Sequence, residues 1–200
     1  MKRILGCIRR ADERYHMLRP GDRVCVGVSG GKDSLLLLYG LKLYQRFSKT
    51  PYELIGVLLD LGISGQDYGP VQAWAKEIDV PLEIIKTDIG EIVFHVRQES
   101  HPCALCAKMR RGALNDMCRE YGCNKLALGH HRDDAIETLL MSLFYEGRFH
   151  TFHPKTYLSR VGLTVIRPMI YLPEKHVLHM QRVLNLPVVH NPCLLYTSPS

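Results

Sequence analysis

Two hundred residues and 22.9 kDa suffice for one ordinary domain with a core of its own. Hydrophobic residues at 46% and charged residues at 23% exclude a disordered tail, a collagen-like fibre and a disulfide-dense mini-protein, and no apolar run approaches the roughly 20 residues of a membrane helix. The net charge is +6, and four of those six charges arise in residues 1–23, where Lys2, Arg3, Arg9, Arg10, Arg14, Arg19 and Arg23 face Asp12, Glu13 and Asp22.

That first stretch, residues 1–20, reads as a basic N-terminal arm. Its charge suits a polyanion such as nucleic acid, and equally a solvated helix face. It has no apolar stretch of secretory type, so a cytoplasmic protein without a membrane is expected. Residues 23–28 are a β-branched run before glycines and predict a buried strand, followed by a helix over 33–47. A second strand over 52–60 ends on Asp60, and a short helix over 74–78 precedes a third strand over 81–87. A helix over 104–121, a strand over 125–128 and a long helix over 133–146 follow. The fifth strand is 163–167, and Pro173 opens a last helix in the favoured first-turn position. Strands alternating with helices predict an α/β fold, a doubly wound parallel sheet with helices on both faces. Ligands then bind at the carboxyl ends of the strands. No linker divides residues 21–192, which form the expected domain. The last eight residues, CLLYTSPS, carry no continuing pattern and read as a non-native tail resembling a translated sequencing adapter, so the natural chain is expected to continue further.

Three segments carry chemistry. Ser29-Gly30-Gly31-Lys32-Asp33-Ser34 follows the first strand and opens a helix. Two glycines let backbone amides approach an anion, the helix N-terminus adds partial positive charge, and Lys32 adds a full one. Ser29 and Ser34 can donate to phosphate oxygens, whereas Asp33 suits Mg²⁺. The spacing is not that of a Walker A loop. Asp60 ends its strand at the same edge. Cys103-Ala-Leu-Cys106 precedes Lys108, Arg110 and Arg111. On a helix beginning near Pro102, both sulfurs share one face of the first turn, with Arg110 a turn further on. Thiolates near a helix N-terminus and cations are good metal ligands. Two buried cysteines or a redox pair are the bland readings of the same spacing. Gly129-His130-His131-Arg132-Asp133-Asp134 again follows a strand and opens a helix. Its paired acids could hold a metal or accept a proton, while Asp133 as helix cap with two surface histidines is the structural alternative. Seven cysteines without an export signal do not indicate a disulfide framework. Cys25, Cys118 and Cys123 sit in apolar segments and read as core, nothing marks Cys7, and Cys193 is a third candidate beside the C-x-x-C pair.

The run S-G-G-K-D-S resembles the PP-loop of the ATP pyrophosphatase superfamily, whose members cleave ATP between the α and β phosphates and adenylate a carbonyl oxygen. With CALCAKMRRGAL, KLALGHHRDDAIETLLMSLFYEGR and TVIRPMIYLPE, most of the chain resembles the tRNA 2-thiocytidine biosynthesis family. The resemblance implies a PP-loop ATPase fold of the adenine nucleotide alpha-hydrolase type. It also implies ATP, Mg²⁺ and a [4Fe-4S] cluster held by Cys103, Cys106 and Cys193, with one iron left open to carry sulfur. Ser29 to Ser34, Asp60, Gly129 and His130 would bind the nucleotide. Asp33, Asp133, Asp134, Arg110 and Arg111 would serve the reaction, in which a cytidine carbonyl at position 32 of the tRNA anticodon loop is adenylated and its oxygen replaced by sulfur. Its partners would be tRNA and a sulfur donor such as a cysteine desulfurase, with a homodimer open to it. Synthesis of 2-thiouridine by the same chemistry is the nearest alternative, and a metal- or redox-binding module with an ATP site is another.

Overall fold

The apolar runs of the sequence become central strands because both of their faces are covered. The computed structural model describes residues 1–62, 66–93 and 102–189. Along β1 (Asp22–Val28), Val24, Val26 and Val28 face one core layer while Cys25 faces the other. In β2 (Tyr52–Asp60), Leu54 and Leu58 face the first layer and Ile55, Val57 and Leu59 the second. A strand buried on both faces loses the polar alternation of a half-exposed one. The remaining strands are β3 (Leu82–Lys86), β4 (Lys125–Ala127), β5 (Lys155–Leu158) and β6 (Leu163–Ile166).

The strands form a single sheet in the order β3-β2-β1-β4-β6-β5. Five run parallel, and β5 pairs antiparallel with β6 at the edge. The expected parallel α/β sheet therefore stands, with one antiparallel edge strand added. The chain leaves β1 toward β2 on one side and returns to β4 on the other. That reversal opens a crevice at the carboxyl ends of β1 and β4.

Helices α1 (Lys2–Tyr15), α2 (Lys32–Tyr44), α3 (Gly69–Glu77) and α7 (Glu174–Val183) cover the first layer. The short α4 (Ile89–Glu91) and the long α5 (Pro102–Glu120) cover the second, which also holds Cys25, Cys118 and Cys123 as core residues. Helix α6 (Arg132–Glu146) lies largely outside both layers. The basic first segment is not an arm beside the domain. It folds as α1, and Ile4, Ile8 and Ala11, spaced to one helical face, are buried in the first layer. Asp12, at the same buried face, accepts from the Leu18 amide at 2.9 Å and the Tyr44 hydroxyl at 3.0 Å. Pro173 stands one position earlier than expected, as the N-cap of α7 with extended backbone. No helix among the described residues is long and apolar enough to cross a membrane.

Candidate functional site

The loop between β1 and α2 is shaped by its glycines and two serines. Gly30 has φ 80°, a left-handed conformation that a side chain resists. The Ser29 amide donates to Ser34 Oγ at 3.1 Å, Ser34 Oγ donates to the Gly31 carbonyl at 2.9 Å, and the two hydroxyl oxygens are 3.2 Å apart. These bonds fold the loop over the start of α2, whose first-turn amides have no acceptor within the helix. Gly129 brings the β4–α6 loop against it. A Cβ there would lie 3.0 Å from the Asp33 carbonyl carbon and 3.1 Å from the Ser34 nitrogen.

Between these loops lies a cleft of about 370 Å³. Ser29, Asp33, Ser34, Gly129, His130, Asp134 and Arg110 supply its polar wall, and Leu59, Leu114 and Leu128 its apolar floor. Arg110 and Leu114 both come from α5, one turn apart. Cys106 lies one turn before Arg110, and Cys103 another turn back in the first turn of α5, with Cys106 buried and Cys103 exposed. The face of α5 that begins with the cysteine pair thus runs into the cleft.

A charge network ties three elements together at the cleft's edge. Lys32 Nζ sits 3.1 Å from both Asp33 Oδ2 and Glu174 Oε1. Burial would lower the Lys32 ammonium, but the two carboxylates outweigh it and hold it above the usual lysine range. Asp33 moves up from the usual carboxylate range, because burial, with Asp134 adding to it, outweighs the Lys32 charge. Its Oδ1 is buried without a hydrogen-bond partner and has His131 Nε2 at 3.5 Å. The other imidazole nitrogen, Nδ1, accepts from the Asp134 amide at 3.4 Å, while the His131 amide donates to Asp134 Oδ2 at 2.7 Å. His131 and Asp134 are thereby the reciprocal cap of α6.

That arrangement overturns both parts of the structural alternative for this segment. Asp133 does not cap α6. Its Oδ2 accepts from the Glu174 amide at 2.9 Å, so it caps α7 instead and does not line the cleft. Burial would raise it, yet the Glu174 amide and Arg132 hold it below the usual range. His130 and His131 are not surface residues: His131 is 3% exposed, and His130 packs on Phe152. Asp60 uses its side chain to accept from the Gly62 amide at 3.0 Å and stands outside the cleft lining, as do Lys32 and Arg111. Cys193 lies outside the described residues. Glu174 and His131 escaped sequence reasoning because their partners are remote in the chain or hidden by burial. The Pro-Glu opening of the last helix was the available signal for Glu174.

The unpartnered Asp33 oxygen, the amide-lined loop and the two serines suit a magnesium-bound nucleoside polyphosphate. The described residues supply two thiolates toward a cluster. Among them no group of three metal-binding side chains converges.

The PP-loop domain family matches residues 7–192. The chain is 38% identical over 188 residues to a tRNA-cytidine(32) 2-sulfurtransferase of Citrifermentans bemidjiense, covering 94% of this chain and 74% of that protein. It is 41% identical over 180 residues to the protein of the same name from Syntrophotalea carbinolica, covering 90% and 69%. Its fold superposes with a TM-score of 0.74 on the U34-tRNA thiolase NcsA from Methanococcus maripaludis, solved with its [4Fe-4S] cluster. That likeness has 26% identity and covers 96% of this chain and 66% of the thiolase.

Proposed function

This chain belongs to the PP-loop domain family and, within it, to the tRNA-cytidine(32) 2-sulfurtransferases, and from that premise we propose that it uses ATP to replace the 2-oxygen of a tRNA cytidine with sulfur. The observation that carries this reading is the course of α5, which brings Cys103 and Cys106 to within a turn or two of Arg110 in the phosphate-binding cleft. Activation and sulfur delivery then share one site. Identity near 40% to the cytidine enzymes, against 26% to the U34 thiolase, favours cytidine over uridine.

The loop amides and the Ser29 hydroxyl bind the ATP phosphates, Ser34 holds the loop in shape through the Gly31 carbonyl, and Asp33 holds Mg²⁺ against the phosphates. The cytosine 2-oxygen attacks the α-phosphorus, the α–β bond breaks, and pyrophosphate leaves with its electron pair. Oxygen, a poor leaving group as a carbonyl, is now part of AMP. Sulfide, bringing its own electron pair, adds at C2, the C2–O bond breaks with AMP as the leaving group, and loss of the sulfur-borne proton leaves the thiocarbonyl. A [4Fe-4S] cluster held by Cys103, Cys106 and Cys193 would supply that sulfur at an iron without a protein ligand. Val189, the last described residue, donates its amide to the Gly30 carbonyl at 3.0 Å. Arg110 neutralises charge on the departing phosphate groups. His131, with Nδ1 committed to the cap of α6, presents Nε2–H toward Asp33 and positions its carboxylate. Asp134 fixes that imidazole.

The sulfur comes from a donor such as a cysteine desulfurase, with a thiol reductant supplying the two electrons that bring persulfide sulfur to the sulfide level. A homodimer through α6 is part of the same reading. Pyrophosphate release that depends on tRNA, followed by mass spectrometry of the tRNA nucleosides, tests the assignment. Stoichiometric 2-thiocytidine supports it, and pyrophosphate release without tRNA and without a thiolated nucleoside overturns it.

A further inference from the structure

Beside the cleft, a second group of side chains has no role in the steps above. Arg167 follows β6 at the carboxyl edge of the sheet. Its guanidinium carbon lies 4.7 Å over the Phe152 ring, and the His130 ring is 4.9 Å from that same ring. Arg167 Nη1 donates to the His153 carbonyl at 2.6 Å, which fixes the direction of the guanidinium fork. Its Nε is buried with no partner, and so is His130 Nδ1. Neither Arg167 nor Arg111 has a carboxylate within 4 Å among the described residues. Burial, followed by the neighbouring Arg111 charge, holds Arg167 below the usual guanidinium range. Burial and Arg167 likewise hold His130 below the usual imidazole range, so that it stays neutral.

A buried donor without an acceptor, and a half-buried cation beside another cation, are both costly arrangements. An anion beside the two cations would relieve the second of these costs. The oriented fork of Arg167 matches the paired oxygens of a phosphate group. Arg167 is not part of the nucleotide cleft wall, whereas its neighbour His130 is. The cluster thus adjoins the ATP cleft, shares His130 with it and extends beyond its wall at Arg167.

We propose that Arg167, with Arg111 and His130, forms a second phosphate site at the mouth of the cleft, occupied by a backbone phosphodiester next to the target nucleotide of the RNA. This rests on the thiolation reading above. The same chemistry would also accept a phosphate of ATP or pyrophosphate, and the two sources are separable. Binding of an unmodified tRNA transcript is measured across a series of KCl concentrations, and Mg-ATP binding is measured in parallel, for Arg167→Gln, Arg167→Lys and Arg111→Gln. Each Gln variant is expected to lose about tenfold in tRNA affinity. Each should also flatten the slope of log affinity against log salt by about 0.7 to 0.9, with ATP affinity at the parent value. Arg167→Lys keeps the slope and loses part of the affinity, since the charge stays and the fork goes. Reduced ATP affinity with tRNA binding untouched assigns the site to the nucleotide and overturns the RNA occupant. Parent affinity for both ligands in both Gln variants overturns the site itself. A parent chain that binds no tRNA removes the thiolation reading and this occupant with it, while the ATP measurement still reads the cluster. Arg111 is exposed on α5, so its variant remains informative if thermal unfolding shows that Arg167→Gln disturbs the loop at His153.

Discussion

Asp33 is more useful than stable where it stands. Burial and Asp134 raise its carboxyl against the pull of Lys32. The native state therefore holds a proton that the unfolded chain has already lost, and stability falls as pH rises from the ordinary carboxylate range to the raised value. Asp33→Asn is expected to raise the melting temperature at pH 7, to match the parent near pH 4, and to lower tRNA-dependent pyrophosphate release by about 100-fold or more, since the carboxylate holds the metal. Calorimetry at the two pH values, together with a pyrophosphate assay, checks both halves. Glu174 bears on the neighbouring lysine. Lys32 must release Glu174 Oε1, 3.1 Å away, before it can turn to a phosphate. Glu174→Gln is expected to tighten ATP binding roughly twofold to fivefold, the scale of a partly exposed ion pair. Calorimetric titration showing unchanged or weaker binding would mean that Lys32 acts from where it sits. The chemistry of Asp33 was legible, because a carboxylate among glycines and serines at a helix start has few other uses. Glu174 and His131 were not, because each acts through a contact that only the folded chain creates, from α7 to Lys32 of the PP-loop and from the start of α6 to Asp33.

Elements were legible where burial left a period. β1 and β2 announced themselves as continuous apolar runs because helices cover both of their faces. β5 did not, because Lys155–Leu158 is a four-residue antiparallel edge strand with Tyr157 exposed and the other three positions only half-buried. The helical spacing of Ile4, Ile8 and Ala11 was present in the sequence, but seven basic residues drew the reading toward charge. The alignment of Cys103, Cys106 and Arg110 on one face of α5 followed from 3.6-residue periodicity alone. Anaerobic reconstitution is expected to give the parent a broad absorption near 400 nm, and Cys103→Ser or Cys106→Ser to abolish it. Cys103→Ser should leave the melting temperature of the cluster-free protein within about 1 °C, because Cys103 is exposed. Helix α6 makes a different demand. Met141, Phe144, Tyr145 and, just beyond it, Phe149 are 60%, 77%, 85% and 83% exposed. With aromatic side chains of about 150–250 Å² each, this face approaches the roughly 800 Å² per partner of a standard interface. Phe144→Glu is expected to shift a dimer to monomer in sedimentation velocity while the cleft still binds ATP, and a parent chain that is monomeric at tens of micromolar would dismiss the second copy.

Taken whole, the molecule places its chemistry at the carboxyl edge of the sheet and much of its excess charge on α1. The amphipathic pattern explains how one helix serves both packing and charge: Ile4, Ile8 and Ala11 face the core, so Lys2, Arg3, Arg9, Arg10 and Arg14 are left outward or at the margin. These cations differ in their local ties. Arg9 is 4.0 Å from Glu13 with both side chains well exposed, a pair worth little in water. Arg10 lies 4.6 Å over the Tyr171 ring and Arg14 6.0 Å over Tyr15, positions that orient a guanidinium without neutralising it. Tyr15 and Tyr171 are themselves stacked, with their hydroxyl oxygens 2.9 Å apart, which joins α1 to the segment that leads into α7. The charges are therefore held on the same rigid body as the cleft and remain available to a polyanion. If α1 grips the tRNA, each cation set against a phosphate releases counterions, and removing one such cation lowers the salt slope by about 0.7 to 0.9. Replacing Arg9, Arg10 and Arg14 together by Gln is expected to flatten the slope by roughly 2 to 3, with no change in ATP binding and a melting temperature close to the parent's. A fall of only about one unit would mark the two stacked arginines as structural and Arg9 alone as the group that meets a phosphate. An unchanged slope would leave α1 as a solvated helix face, with its role confined to covering the sheet.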